Sequence, residues 1–115
     1  MDNVKDDKYY IEKVIGYMDF SISTLDGVTL KDFRGNQILI NAIMFAFVQI
    51  SENSSKISDS FKNENCNIPW KIIKAVRNKI VHDYDVVKES IIYDTVRKDF
   101  PKCRKALLKA IDTTV

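Results

Sequence analysis

The chain has 115 residues, of which 45% are hydrophobic and 30% charged, as is ordinary for one soluble globular domain over residues 1–115. Only three glycines and two prolines are available for turns, so an all-β fold is disfavoured and long helices are favoured. The net charge is −3 over residues 1–69 and +5 over 70–115, so the second half favours a polyanion or an acidic partner, although a solvated helix surface explains the same charges.

The first two predicted helices fill the acidic half. The first covers roughly residues 5–26, where apolar residues recur every three or four positions. Gly27 is predicted to end it, and Thr29 to cap a short turn leading into the next helix. The second covers roughly 33–61, and its middle is apolar nearly all round, which predicts a central helix with neighbours on several sides. A loop is predicted over the polar residues 62–67.

The remaining helices follow a proline. Pro69 suits the first turn of a third helix, which has an apolar stripe and therefore a buried side. A fourth helix covers roughly 88–99 and is predicted to break at Phe100-Pro101, where a last segment begins and runs to about residue 112. This pattern predicts an all-α fold, namely an antiparallel up-and-down bundle of four main helices plus one or two short ones.

Neither a metal site nor a membrane span is predicted. The two cysteines, Cys66 and Cys103, are far apart and the chain has a single histidine, so no zinc ligand set is present and no cofactor is expected. The longest apolar run, residues 38–50, is shorter than the roughly 18 residues that a membrane span needs. With two free thiols and no charged-then-apolar leader, we expect a cytoplasmic protein.

The string RNKIVHDY, residues 77–84, contains that histidine. His82 can transfer protons near neutral pH, and Arg77 is a permanent cation whose planar fork suits a phosphate. Together they can cleave RNA without a metal: His82 takes a proton from a 2′-hydroxyl or protonates the departing 5′-oxygen, and Arg77 stabilises charge on the phosphate oxygens. Asn78 can orient His82 or hold a phosphate oxygen.

The spacing within this string permits several arrangements. Positions five apart differ by about 140° around a helix, so Arg77 and His82 do not share a face, whereas Asn78 and His82 do. Arg77 can wrap around, the helix can loosen, or a second copy in a twofold homodimer can supply the missing partner. A structural explanation is also open: His82 followed by Asp83 can simply satisfy a helix end, and Tyr84 can be a core aromatic.

Three longer segments resemble the HepT-like toxins of the HEPN superfamily. They are IPWKIIKAVRNKIVHDYD, with the later DFPKCRKAL, and VQISENSSKIS, which is similar to the family's IGEA.K.L segment. Glu52 stands at the position of the family's acidic residue, while Ser51 and Asn53 replace the usual Gly and Ala and indicate a divergent helix contact. The likeness covers nearly the whole chain and is strongest over 68–84.

The resemblance implies a helical homodimer whose cleft carries the Arg and His of both copies, RNA cleavage, and growth inhibition. It also implies a type VII-like toxin–antitoxin pair, in which a cognate minimal nucleotidyltransferase antitoxin transfers AMP to the toxin. Carried over by position, Arg77 and His82 would be catalytic, Asn78 the supporting polar residue and Tyr84 the AMPylated residue. The alternative is a non-catalytic helical binding subunit of a nucleotidyltransferase, with a purely structural adaptor ranked third.

Overall fold

The structure, a computed structural model, describes residues 3–75 and 89–112, and the regular elements in those ranges are all helical. They are α1 (Asn3–Thr24), α2 (Leu30–Arg34), α3 (Gln37–Ser55), α4 (Asp59–Glu64), α5 (residues 70–75, where the first range ends), α6 (Glu89–Asp94), a π-helical turn (Thr95–Asp99) and α7 (Phe100–Asp112). The predicted all-α fold is confirmed. Three long helices, α1, α3 and α7, dominate the described ranges, and the predicted third helix begins as α5.

The connection from α1 to α2 follows the prediction. After Thr24 the chain turns, and Gly27 has φ +75, a left-handed conformation that glycine adopts without steric cost. The Thr29 side chain accepts a hydrogen bond of 3.1 Å from the backbone N–H of Asp32 and thereby caps α2. The stop at Gly27 and the cap at Thr29 are confirmed.

The single helix predicted over 33–61 is wrong, because side-chain caps divide it. After Gly35, the Asn36 side chain accepts from the Leu39 N–H at 3.1 Å and starts α3. The Ser58 hydroxyl accepts from the Phe61 N–H at 3.2 Å and starts α4. Asn and Ser offer backbone donors an alternative to helix continuation, which a count of apolar positions does not detect. Because α4 extends into the predicted loop, that loop is shorter than expected.

The break predicted at Phe100-Pro101 is also wrong, because the chain is helical from Glu89 to Asp112 without interruption. The Phe100 N–H bonds to the Thr95 carbonyl, five residues back, instead of four. This one-residue shift in hydrogen-bond register comes immediately before Pro101, which lacks the N–H that a regular α-helix would use. The π-helical turn therefore accommodates the proline inside a continuous helix.

The helix α1 lies antiparallel to α3. Near the start of α1, the Asp7 carboxylate accepts hydrogen bonds from the Ser58 N–H at 2.7 Å and the Ser58 hydroxyl at 2.6 Å, just beyond the end of α3. Further along, the Tyr17 ring packs edge-on against the ring of Phe45 in α3, with centroids 6.1 Å apart. As the residue number rises along α1, it falls along α3, as in an antiparallel pair.

The helix that runs from Glu89 through α7 is also antiparallel to α1. Its Arg97 donates to the Leu25 carbonyl, after the end of α1, at 3.1 Å. Its Arg104 forms an ion pair with Asp19 in the second half of α1. These contacts hold the long helix along α1, so the antiparallel arrangement extends to both neighbours of α1.

One hydrophobic cluster joins these helices. Its largest fully buried side chains are Phe33, Phe100, Ile11, Met18, Leu25, Ile43, Ile50, Ile68, Ile73 and Leu107. The helix α3 has neighbours on several sides, as predicted: its Phe45 ring contacts Tyr17 of α1, its Phe47 ring contacts Phe100 of α7, and its Ser51 contacts Lys74 of α5. Its Ile38 and Phe45 are nonetheless 81% and 57% exposed. These two residues are seven positions apart and therefore share one face of α3, and most of this face is exposed in the described part of the chain.

Candidate functional site

The four predicted site residues, Arg77, Asn78, His82 and Tyr84, lie outside the described residues, within the segment 76–88. The structure does show how the chain enters and leaves that segment. The helix α5 precedes it and α6 follows it, so the contacts of these two helices determine where the predicted site is attached to the bundle.

The start of α5 is attached to the hydrophobic core. The side chain of Ile73 is 1% exposed, and its N–H bonds to the Pro69 carbonyl at 3.1 Å, the first regular bond of this helix. Pro69 therefore stands at the helix start, as predicted. The Trp70 indole N–H donates to the Asn65 carbonyl at 3.1 Å, and this bond attaches α5 to the turn that precedes it.

The Trp70 ring is also held by α4. The Phe61 ring packs edge-on against it, with centroids 6.3 Å apart, which is a favourable aromatic geometry. The Lys62 ammonium lies 5.8 Å from the centroid of the same ring, within the range of a cation–π interaction. Three contacts therefore orient the half-buried Trp70 side chain, seven residues before Arg77 in the sequence.

The helix α5 approaches α3 at Ser51. The buried Ser51 hydroxyl donates to the Lys74 carbonyl at 3.4 Å, and the Ser54 hydroxyl donates to the Ser51 carbonyl at 3.0 Å. Lys74 precedes Arg77 by three residues, so this contact lies close in sequence to the predicted site. Ser51 therefore makes a contact between helices, and its divergence from the contact in the family stays a prediction. The adjacent Glu52 is half-buried on α3.

The helix α6 is attached to the turn between α1 and α2. The Tyr93 hydroxyl donates to the Val28 carbonyl at 2.6 Å, and its ring lies 5.9 Å from the ring of Phe33. The Arg97 guanidinium lies 5.5 Å from the Tyr93 ring centroid. The chain therefore leaves the segment 76–88 into a helix with both polar and aromatic contacts to the rest of the bundle.

The two cysteines are both free, as expected, and they differ in environment. Cys66 is exposed and Cys103 is buried. Burial, and secondly the nearby Asp99 charge, raise the pKa of the Cys103 thiol to about 11, so Cys103 is a protonated core residue and a poor nucleophile. No cluster of His, Cys, Asp and Glu suited to a metal ion occurs within residues 3–75 and 89–112. In the same ranges no helix combines the length and hydropathy that crossing a bilayer requires.

Known proteins resemble this chain over most of its length. The family model described as "Ribonuclease HepT-like" matches residues 10–110, a range that includes all four predicted site residues. A protein named "Putative RNase" from Caldanaerobacter subterraneus subsp. tengcongensis is 28% identical over 102 residues, which cover 89% of this chain and 91% of that protein. "Probable ribonuclease HepT" from Thermococcus cleftensis is 26% identical over 97 residues, covering 84% of this chain and 88% of that protein.

A third relative, also named "Putative RNase", comes from Methanocaldococcus jannaschii. It is 25% identical over 101 residues, which cover 88% of this chain and 93% of that protein. No solved structure matches the chain significantly. The likeness therefore spans nearly the full length of the relatives as well as of this chain.

Proposed function

The chain belongs to the ribonuclease HepT-like family, and from this premise we propose that it is an endoribonuclease that cuts RNA without a metal ion. One observation supports this proposal above the others. The family match spans the string RNKIVHDY, and in it the only histidine of the chain stands five residues after an arginine. Proteins similar to this chain over most of its length carry ribonuclease names.

The proposed reaction uses the RNA 2′-hydroxyl as the nucleophile. His82 accepts the proton of this hydroxyl while the 2′-oxygen forms a bond to the adjacent phosphorus. The bond from phosphorus to the 5′-oxygen breaks, and a proton returns to that oxygen, which leaves a 2′,3′-cyclic phosphate and a 5′-hydroxyl. Arg77 stabilises the charge that grows on the phosphate oxygens, and Asn78 orients His82. DNA lacks the 2′-hydroxyl and is not a substrate of this reaction.

Cleavage in EDTA tests the activity directly. The purified protein and its His82→Ala variant are incubated with RNA, and the product ends are analysed. We expect EDTA-resistant cleavage to cyclic phosphate ends by the parent protein, and none by a His82→Ala variant with an unchanged melting temperature. Parent-level cleavage by that variant would refute the role of His82. Tight binding to a nucleotidyltransferase without any cleavage would instead support the non-catalytic subunit.

We further propose that the active form is a homodimer. The exposed apolar face of α3, with Ile38 and Phe45 seven residues apart, supports this proposal, because a second copy would remove these side chains from water. A twofold arrangement would also let Arg77 of one copy act with His82 of the other. In that case, mixing inactive Arg77→Ala and inactive His82→Ala proteins restores part of the activity, because each mixed dimer regains one complete site.

The dimer proposal has its own control. Phe45→Glu places a charge on the face that the second copy would cover, so we expect this variant to be monomeric by light scattering. Glu12 lies on the exposed side of α1, and Glu12→Gln is expected to leave the oligomeric state unchanged. A dimer that persists in Phe45→Glu would show that the α3 face is not the interface.

The proposed regulation is AMP transfer from a minimal nucleotidyltransferase antitoxin onto Tyr84. The Tyr84 hydroxyl oxygen would attack the α-phosphorus of ATP, and pyrophosphate would leave. The added nucleotide brings bulk and negative charge two residues from His82, where it would block RNA and pair with Arg77. We expect Tyr84→Phe to keep cleavage and to escape inhibition, and incorporation of labelled AMP into Tyr84→Phe would refute this assignment.

A further inference from the structure

Four exposed lysines form a line along the helix that contains α7. We call Lys98, Lys102, Lys105 and Lys109 the lysine stripe. Their spacings of four, three and four residues bring them to one side of the helix, and the eleven-residue span corresponds to a rise of about 16 Å. The opposite side of α7 is buried through Phe100, Cys103, Leu107, Ala110 and Ile111, so the stripe faces away from the core.

The charge of the lysine stripe is not neutralised within the described part of the chain. Asp94, Asp99 and Asp112 lie on the same continuous helix, yet no ion pair joins any of them to a stripe lysine there. The ion pair that the structure does show on α7 uses Arg104, which contacts Asp19 of α1. The stripe therefore presents four positive charges to solvent in a row.

We propose that the lysine stripe binds the phosphate backbone of the RNA substrate, an inference that rests on the proposed ribonuclease function. A row of cations suits a polyanion, because each ammonium can approach one phosphate as a point charge. Contacts of this kind position a nucleic acid without reading its bases. The span of about 16 Å is long enough for several consecutive phosphates.

The composition of the stripe favours RNA over two other partners. The centres of protein–protein interfaces are depleted in lysine and enriched in aromatic residues, whereas the lysine stripe consists of exposed lysines alone. A membrane-binding helix needs a free apolar side, but the apolar side of α7 is already buried in the core. A polyanion that contacts only the charged side meets neither objection.

Salt dependence of RNA binding provides the test, and the inactive His82→Ala protein serves as the parent so that RNA stays intact. In the stripe variant all four lysines are changed to glutamine, which keeps good helix propensity. The control variant carries the same charge change at the exposed and scattered Lys8, Lys13, Lys31 and Lys56. Far-UV circular dichroism and melting temperatures check that each variant is folded.

The expected effect follows from counterion release. With a slope contribution of about 0.7 per phosphate contact on single strands, losing four contacts lowers the salt slope by about 2.8. Between about 50 and 200 mM salt, the parent should then lose about 50-fold more affinity than the stripe variant. The control variant should keep a slope close to that of the parent. If the stripe variant does not fold, a variant with only Lys102→Gln and Lys109→Gln should give half of the change in salt slope.

Cleavage by the protein with His82 intact separates this inference from the proposed function. We expect the stripe variant to lose more kcat/KM on a long RNA than on a trinucleotide, because a trinucleotide is too short to reach along the stripe. Equal slopes in the stripe and control variants would overturn the inference while leaving the ribonuclease proposal intact. RNA binding through the stripe without any cleavage would overturn the ribonuclease proposal alone. Loss of nucleotidyltransferase binding with an unchanged RNA slope would make the stripe a protein-binding surface and overturn the inference.

Discussion

The contact between Asp7 and Ser58 provides the sharpest test of how the bundle is held together. The Asp7 side chain is 5% exposed, and its two carboxylate oxygens accept from the backbone N–H and the hydroxyl of a residue 51 positions away. Ser58 also caps α4 through its bond from the Phe61 N–H. Asp7→Ala removes both acceptors and leaves the Ser58 N–H without this partner.

The size of the effect can be worked out from these two bonds. A hydrogen bond to a charged group contributes about 1.5–3 kcal/mol net, and the two bonds share one carboxylate whose burial also costs free energy. We therefore expect Asp7→Ala to lower the free energy of unfolding by about 2–3 kcal/mol. With an unfolding entropy of about 2.1 cal/mol/K per residue, a chain of 115 residues would melt about 10 °C lower.

The assay is urea denaturation followed by circular dichroism, with a matched control in the same helix. Asp19→Ala removes a carboxylate from a half-exposed ion pair with Arg104, and such pairs contribute about 0–1 kcal/mol. Ser58→Ala and the Asp7→Ala/Ser58→Ala double variant complete a double-mutant cycle. We expect it to give a coupling energy between Asp7 and Ser58 of at least about 0.5 kcal/mol. The reasoning fails if Asp7→Ala costs no more than Asp19→Ala, or if the double variant is strictly additive.

The remaining predictions concern backbone conformation and thiol chemistry. Gly16→Ala should stabilise the protein by about 0.5–1 kcal/mol, and Gly27→Ala should destabilise it by about 1 kcal/mol. An added Cβ meets nothing within 4 Å at either site, but only Gly27 has a positive φ, +75. Denaturant titrations in which both variants change the free energy of unfolding in the same direction would contradict this. Iodoacetamide near neutral pH should modify the exposed Cys66 and spare Cys103, as peptide mass spectrometry can show, because the raised pKa of the Cys103 thiol, about 11, keeps it protonated. Because this pKa lies above the ordinary thiol value of 9.0, the Cys103 thiol should stabilise the folded state fully below pH 9 and progressively less as the pH rises toward 11. A Cys103→Ala variant that loses the same stability over this pH range would contradict this cause.

The two errors in the predicted helices have a common origin. Both predictions used local rules, namely that an apolar repeat continues a helix and that a proline ends one. At Asn36 and Ser58 a polar side chain bonds to the backbone and starts a new helix inside the apolar repeat. At Pro101 a shift in hydrogen-bond register accommodates the missing donor, and Arg97 within the shifted turn donates a hydrogen bond to the Leu25 carbonyl. The outcome depends on bonds that a residue pattern does not specify.

The sequence by itself determined the helical class and the chemical hypothesis. Apolar residues at helical spacing, with few glycines and prolines, favour helices that bury one side. An arginine, a histidine and a tyrosine within eight residues are the groups on which the proposed RNA cleavage and its proposed regulation depend. The helical class and the chemical hypothesis both depend on residue types and short spacings, which the amino-acid sequence specifies directly.

Only the tertiary structure decided how the predicted site is attached. The contacts of Ser51 with Lys74 and of Tyr93 with Val28 join residues 23 and 65 positions apart. The exposed face of α3, with Ile38 and Phe45, likewise becomes apparent only when the described helices pack, because its apolar residues are indistinguishable in sequence from those of the core. Such features result from the way that helices orient against each other, and this orientation depends on the shapes of many side chains at once.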